Sequence, residues 1–240
     1  MTKKWGIIGL GWLGSELARS LEKAEQEYWG TTRKNFDWER DDFPMRSCDV
    51  LFLNTPPLTN MSPDSFVRKI HAPPGVRIIF ISSIGVYGNI SGIITEKTTP
   101  HPHTKNGTWL LKVEELLLEK FKSQTTIIRA GGLIGGFRHP VLSLAKKEGL
   151  ILGEGYINLI HRNDLIDIIL SVSQQGEHLS LVNAVGPYHP LKSEYYNFWC
   201  EKLNLDKLQF SVEGETDKII ESVVLDSFYT QWSCPKLDWL

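Results

Sequence analysis

The sequence predicts an α/β protein built on a doubly wound parallel sheet. Apolar runs at Val50–Leu53 and Val76–Ile81 are nearly continuous, as expected of strands covered on both faces. They alternate with segments of helical periodicity, which argues for parallel strands joined by right-handed crossovers. The 240 residues, 41% of them hydrophobic, suit one compact domain or one domain with a small C-terminal lobe.

Trp5 to Ile8 reads as a first strand ending in glycine. Ser15 to Ala24 follows as a helix, with Leu13, Leu17, Ala18 and Leu21 on one side. Glu27 to Gly30 is a second strand, and residues 31–47 are polar and irregular, so any third strand there is short. Asp49 to Asn54 is a buried strand closed by Thr55-Pro56-Pro57, where proline forces the chain to turn. Ser65 to His71 is helical, and Pro73-Pro74-Gly75 separates it from the next strand. Residues 84–104 read as a long loop. Thr108 to Lys122 is an amphipathic helix with Trp109, Leu110, Val113, Leu116, Leu117 and Phe121 on one side. Thr125 to Arg129 is a strand, followed by a glycine-rich turn through Gly136. Val141 to Glu148, Leu165 to Ser173 and Ser193 to Leu203 are expected helices, and Leu179 to Val185 a strand. Residues 205–240 give no clear pattern. The resulting organisation is a main α/β unit over 1–136, with 155–185 completing it, and a small α/β lobe over 137–240.

The formal net charge is −2, so nothing global points to nucleic acid or an anionic membrane. No apolar run approaches the ~18 residues of a membrane span, and no signal peptide is evident. Cys48, Cys200 and Cys234 are odd in number and widely spaced, which suggests a reduced, cytoplasmic protein without disulfides or zinc. His101-Pro102-His103 has no third ligand cluster to make a metal site. The eight tryptophans form no evident stacking platform and are assigned to the core.

Gly9-Leu10-Gly11-Trp12-Leu13-Gly14 sits between a predicted strand and a predicted helix, the context that gives GxGxxG its meaning. Gly9 permits the tight turn, Gly11 lets backbone approach a pyrophosphate, and Gly14 lets helix and strand pack closely. The helix start, including Trp12 and Leu13, then presents free N–H groups to phosphate. A Rossmann-type dinucleotide site follows. Its NAD form places an acid about 20 residues further on. Here that place holds Thr31-Thr32-Arg33-Lys34, so Thr32 and Arg33 point to NADP in preference to NAD, with Arg33 gripping the 2′-phosphate. Asn54, Thr55 and Pro56, at a strand's carboxyl end, are expected to face the ribose or adenine.

The segment Phe80-Ile81-Ser82-Ser83-Ile84-Gly85-Val86-Tyr87-Gly88 resembles the extended short-chain dehydrogenase/reductase superfamily, in its NAD-dependent epimerase/dehydratase group. Ile127-Ile128-Arg129-Ala130-Gly131-Gly132-Leu133-Ile134-Gly135 resembles that group's later turn, with alanine in place of proline. Asn158-Leu159-Ile160-His161-Arg162-Asn163-Asp164-Leu165 and Leu181-Val182-Asn183 resemble the segments that follow it, so the likeness spans roughly residues 4–185. It implies that Ser83 is the catalytic serine, that Ser82 borders the cofactor, and that Gly131, Gly132 and Leu133 line its nicotinamide end. It implies a structural helix-start acid at Asp164, a small-molecule substrate such as a sugar nucleotide, and often a homodimer. Arg129 is either part of that turn's function or an anchor beneath the sheet.

The group's acid/base pair, Tyr-x-x-x-Lys, is missing. Alignment on Val113-Glu114 puts Asn106 and Leu110 in its places, and a two-residue slip offers only Thr108 and Lys112. Asparagine does not titrate and leucine cannot lower a phenol's pKa of about 10. Substitutes are Tyr87, or His101, His103 and Lys105 before the helix. His161 and Arg162 could reach an acidic or phosphorylated substrate. Two functions remain open: a reductase, epimerase or dehydratase using Ser83 and a non-standard acid, or a non-catalytic NADP-binding sensor or scaffold.

Overall fold

The computed structural model describes residues 2–146, 149, 153–211 and 217–238. Its elements run β1 (Trp5–Ile8), α1 (Trp12–Lys23), β2 (Tyr28–Thr31), β3 (Val50–Leu53), α2 (Pro63–Lys69), β4 (Arg77–Ser83), β5 (Ile93–Ile94), α3 (Lys105–Phe121), β6 (Thr125–Ala130), β7 (Gly132–Ile134), α4 (Val141–Leu144), β8 (Leu159–His161), α5 (Arg162–Gln174), β9 (Leu181–Ala184), α6 (Lys192–Lys202) and β10 (Ile219–Ile220).

Six strands form one parallel sheet in the order β2-β1-β3-β4-β6-β9. The chain leaves β1 for β2 on one side and returns to β3 on the other. That reversal opens a crevice above the carboxyl ends of β1 and β3, where open α/β sheets bind ligands. The alternation of strand side chains fills both faces. Ile8, Leu53, Phe80 and Ile127 pack toward α2 and α3 through Phe66, Trp109, Val113 and Leu117. Ile7, Phe52, Ile79 and Ile128 pack toward α1 and α5 through Leu17, Leu21, Ile169 and Val172.

Residues 32–47 hold neither strand nor helix. Their apolar members, Phe36, Trp38 and Phe43, form a plug instead. Trp38 lies 4.3 Å from Phe66, which in turn meets Trp109 at 5.1 Å in an edge-on contact. Aromatic packing takes the place of a third strand.

Several boundaries differ from the sequence expectation for local reasons. α1 begins at Trp12 because Gly11, in extended backbone, feeds straight into it. α2 begins at Pro63, with Ser62 Oγ accepting from Ser65 N–H at 3.1 Å. α3 begins at Lys105 because Thr104 Oγ1 accepts from Gly107 N–H at 3.0 Å. The expected loop 84–104 contains a 3₁₀ turn at Ile84–Tyr87 and the short β5. The glycine-rich turn carries β7, paired in parallel with β8. Of the helix expected over 141–148, Val141–Leu144 is helical; residues 147 and 148 lie outside those described.

A third apolar cluster gathers Ile134, Val141, Ile157, Leu159, Tyr195, Trp199 and Leu237. His139 is buried beside it. Its Nδ1 accepts from Val141 N–H at 3.1 Å, and its Nε2 lies 3.1 Å from Tyr195 Oη, which donates to the Leu237 carbonyl. Both ring nitrogens are therefore satisfied by the neutral Nε2–H tautomer. Protonating Nδ1 would set N–H against N–H, and burial lowers the pKa to about 4.

Two outcomes follow. Phe66→Ala should lower stability by about 3–5 kcal/mol, seen as a lower urea midpoint. Between the usual histidine pKa of 6.5 and about 4, the unfolded chain takes up a proton at position 139 before the folded one does. Stability should fall as pH drops through that window, and the slope should be shallower in His139→Gln, measured as denaturation midpoint against pH.

Candidate functional site

The carboxyl edge of the sheet is drawn together at the crevice by close backbone approach and one side-chain hydrogen bond. Gly9 has φ +108°, and a Cβ there would lie 2.2 Å from the Asn54 carbonyl oxygen. A Cβ at Gly14 would lie 2.2 Å from the Gly9 carbonyl oxygen. Only glycine lets β1, β3 and α1 approach so closely. Asn54 Nδ2 donates to the same Gly9 carbonyl at 3.1 Å and fixes the approach. Gly11 behaves differently. It is exposed, and nothing lies within 4 Å of the place a Cβ would take.

Beside Gly11 opens a cleft of about 770 Å³. Of the sequence-predicted residues, Gly9, Gly11, Thr32, Arg33, Asn54, Thr55 and Pro56 line it. Thr55 Oγ1 is buried at this wall and has no hydrogen-bond partner among the described residues. Arg33 is exposed at the rim. The aromatic plug supplies Phe36 and Trp38 to the far wall, a contribution that sequence reading missed. Two carboxylates also stand there, and both are engaged: Asp37 Oδ1 accepts from Glu39 N–H at 2.8 Å, and Glu39 accepts from Asn60 Nδ2.

The structure brings some of the remaining predicted residues to the same edge. Ser83, ending β4, is paired in register with Ala130, so it neighbours the Gly131–Gly132 turn. Its Oγ accepts from Gly85 N–H at 3.0 Å and keeps its own hydrogen for another acceptor. Gly132 is exposed on that turn and Leu133 is half-buried. Trp12 and Leu13 begin α1, but neither lines the cleft: Leu13's side chain is in the core, and Trp12 faces a different concavity.

Other predicted residues are placed elsewhere. Ser82 faces the interior and donates to Glu114 on α3. Glu114 in turn holds Arg129 by a two-pronged ion pair, Nε–Oε2 at 3.1 Å and Nη2–Oε2 at 2.7 Å. Arg129 is thereby an anchor under the sheet, with its guanidinium 4.8 Å from the Tyr87 ring. Tyr87 is fully buried, and its hydroxyl donates to Asn183 Oδ1 at 2.8 Å, with the Thr95 carbonyl 3.1 Å away. Burial raises its pKa, the opposite of what a phenolate base needs, so Tyr87 is a structural residue. His161 is buried as the α5 cap, accepting from Asn163 N–H at 3.3 Å, and burial lowers its pKa; it does not reach outward to a substrate.

Helix α3 presents Asn106 exposed in its first turn and Leu110 buried. His101 and His103 are exposed and pack on the end of the Ser83–Gly88 turn, where a Cβ at Gly88 would meet the His101 carbonyl at 2.0 Å. Among the described residues, no three His, Cys, Asp or Glu side chains are grouped to hold a metal ion. No helix among the described residues is long and apolar enough to cross a membrane. Lys218, which sequence reading missed, lays its ammonium on the Gly88 carbonyl at 2.7 Å. Burial, with Lys192 nearby, lowers its pKa. No local motif marks this lysine, since it arrives from a segment without periodicity.

Glu114→Ala would leave the Arg129 guanidinium buried without its carboxylate, at a cost of about 3–5 kcal/mol. Replacing both Glu114 and Arg129 by leucine should cost clearly less than the two single changes added together, as a double-mutant cycle of unfolding free energies would show.

No family model matches the chain. It is 30% identical to Protein YeeZ of Escherichia coli K12, over 91% of each chain. Among solved structures, it superposes on a Methylobacillus flagellatus protein assigned to the NAD-dependent epimerase/dehydratases, with TM-score 0.77, 20% identity and coverage of 98% and 94%. It matches MoeE5 in complex with UDP-glucose and NAD at TM-score 0.76, 13% identity and coverage of 97% and 95%. The human epimerase family protein SDR39U1 with NADPH gives TM-score 0.74, 15% identity and coverage of 98% and 96%. The chain thus belongs to the family of the Escherichia coli protein YeeZ, and its fold is that of the NAD-dependent epimerase/dehydratase group of short-chain dehydrogenases/reductases.

Proposed function

We propose that this chain binds NADP(H) in the crevice above β1 and β3 and acts with it on a small molecule of the sugar-nucleotide kind, as a reductase, epimerase or dehydratase. One observation carries the reading: the open face of Gly11 at the head of α1, beside a cleft that holds the unpartnered Thr55 hydroxyl and ends at Arg33. The α1 amino terminus suits a diphosphate. Thr55 suits a ribose hydroxyl, and Arg33, with Lys34 beside it in the lining, suits a 2′-phosphate. The match to structures that hold NADPH, or NAD with UDP-glucose, supports the same class of ligand.

A nicotinamide, when bound, supplies or accepts hydride. The chain's own part is to orient the substrate oxygen on the Ser83 hydroxyl and to manage a proton without the tyrosine–lysine pair. Lys218 is our candidate for that proton, because its lowered pKa comes with a position on the Ser83–Gly88 turn. A non-catalytic NADP(H) sensor is favoured by one feature, the buried Leu110 where the family's lysine stands.

Titration calorimetry with NADPH and NADH tests the binding. NADPH should bind more tightly, and Arg33→Ala should weaken NADPH by about 10- to 100-fold while leaving NADH nearly unchanged, the value of hydrogen bonds to a charged group. Failure of both dinucleotides to bind would end the proposal. A carbonyl and sugar-nucleotide screen then separates the two readings. Turnover abolished by Ser83→Ala supports the enzyme, and tight binding without turnover supports the sensor.

A further inference from the structure

On the outer side of α1, away from the dinucleotide cleft, lies a second concavity of about 570 Å³. It is walled by one face of α1, the Gly136–Arg138 turn and the start of α5, and it shares only Gly11 with the first cleft. Three arginines face it, Arg19, Arg138 and Arg162, against the single carboxylate of Glu16. That surplus of positive charge is held in place. Trp12 carries the guanidinium of Arg138 at 5.1 Å and that of Arg162 at 4.8 Å from its ring centre. Glu16 bridges Arg162 at 3.1 Å and Arg19 at 2.6 Å. Gly135 and Gly136, with φ of +129° and +56°, make the turn that brings Arg138 over the indole.

Two like charges share one ring, and the single carboxylate of Glu16 leaves the concavity with a net positive charge. The Arg162 Nε–H is moreover buried and has no hydrogen-bond partner among the described residues. Both features are relieved by an anion with several acceptor oxygens, which planar guanidinium forks grip in pairs. Phe137, fully exposed on the rim, offers an apolar surface to whatever carries that anion.

We infer that the Trp12–Arg138–Arg162 cluster is a binding site for a phosphate-bearing small molecule, separate from the dinucleotide cleft. The phosphate has two sources, a free ligand or the cofactor's own diphosphate reaching round Gly11, and the inference is for the first. It does not require the chain to be an enzyme.

The test uses inorganic pyrophosphate as probe, followed by calorimetry on the full chain. Pyrophosphate should bind the wild type, bind Arg138→Gln/Arg162→Gln at least about tenfold more weakly, and bind equally well when NADPH is saturating. NADPH affinity should be unchanged in the double variant. The single change Arg138→Gln, at an exposed side chain, should weaken pyrophosphate with no loss of melting temperature, which separates loss of the site from loss of the fold. Three results overturn the inference: no pyrophosphate binding at millimolar concentration, equal binding by wild type and double variant, or displacement of pyrophosphate by NADPH. The last would assign the arginines to the cofactor, and it differs from failure of the cofactor proposal, in which NADPH itself does not bind.

Discussion

The buried pair between Glu114 and Arg129 is the constraint on which the middle of this molecule is arranged. It joins a helix to a central strand where water is excluded, so neither partner can leave without stranding the other's charge. Ser82 donates to the carboxylate from the neighbouring strand, which aligns β4 with β6 and carries Ser83 to the exposed edge. The guanidinium lies against Tyr87, and Tyr87 donates to Asn183 on β9. One ion pair thus spans three adjacent strands. Glu114 lies on the helix where the sequence reading looked for the group's tyrosine–lysine pair, at Asn106 and Leu110 or, two residues on, at Thr108 and Lys112.

What the sequence showed depended on how local the determining physics is. The glycine loop, the apolar strands and the helix periodicities are written in short windows, and the sheet and its crevice were legible from them. Cap residues moved boundaries by a few positions, because Thr104 and Ser62 act through one hydrogen bond that periodicity does not see. Residues 32–47 looked polar, yet Phe36, Trp38 and Phe43 make a cluster and a cleft wall, since they pack at irregular spacing against a helix far along the chain. Tyr87 and Ser82 sat in a recognisable motif, but which of adjacent side chains points inward was decided by partners at 183 and 114. Lys218 could not be found at all without the fold.

The unassigned C-terminal region explains itself in the same terms. Besides the buried Ile220, Leu225, Tyr229 and Leu237, it is held by polar side chains from α5 and from two connecting segments. Asp164 accepts from the Tyr229 hydroxyl at 2.9 Å and from the backbone of Ser233 and Cys234. Asn158 grips Lys218 and Ile220, and Glu96 takes the Val223 N–H at 2.9 Å. Each of these carboxylates and amides is in the body of the chain, so the segment that they bind needs no periodic pattern of its own.

That arrangement sets an order on the ribosome. Strands β1 to β9 emerge and can pair before residues 217–238 exist, and Asn158, just before β8, and Asp164, in the first turn of α5, are made before the partners that they bind. Residues 217–238 arrive after that sheet, and they settle onto Asn158 and Asp164 of the earlier fold. During synthesis this region should pass through a state with a formed sheet and an uncovered flank, the stage at which a nascent chain of this kind is most exposed to chaperones and proteases.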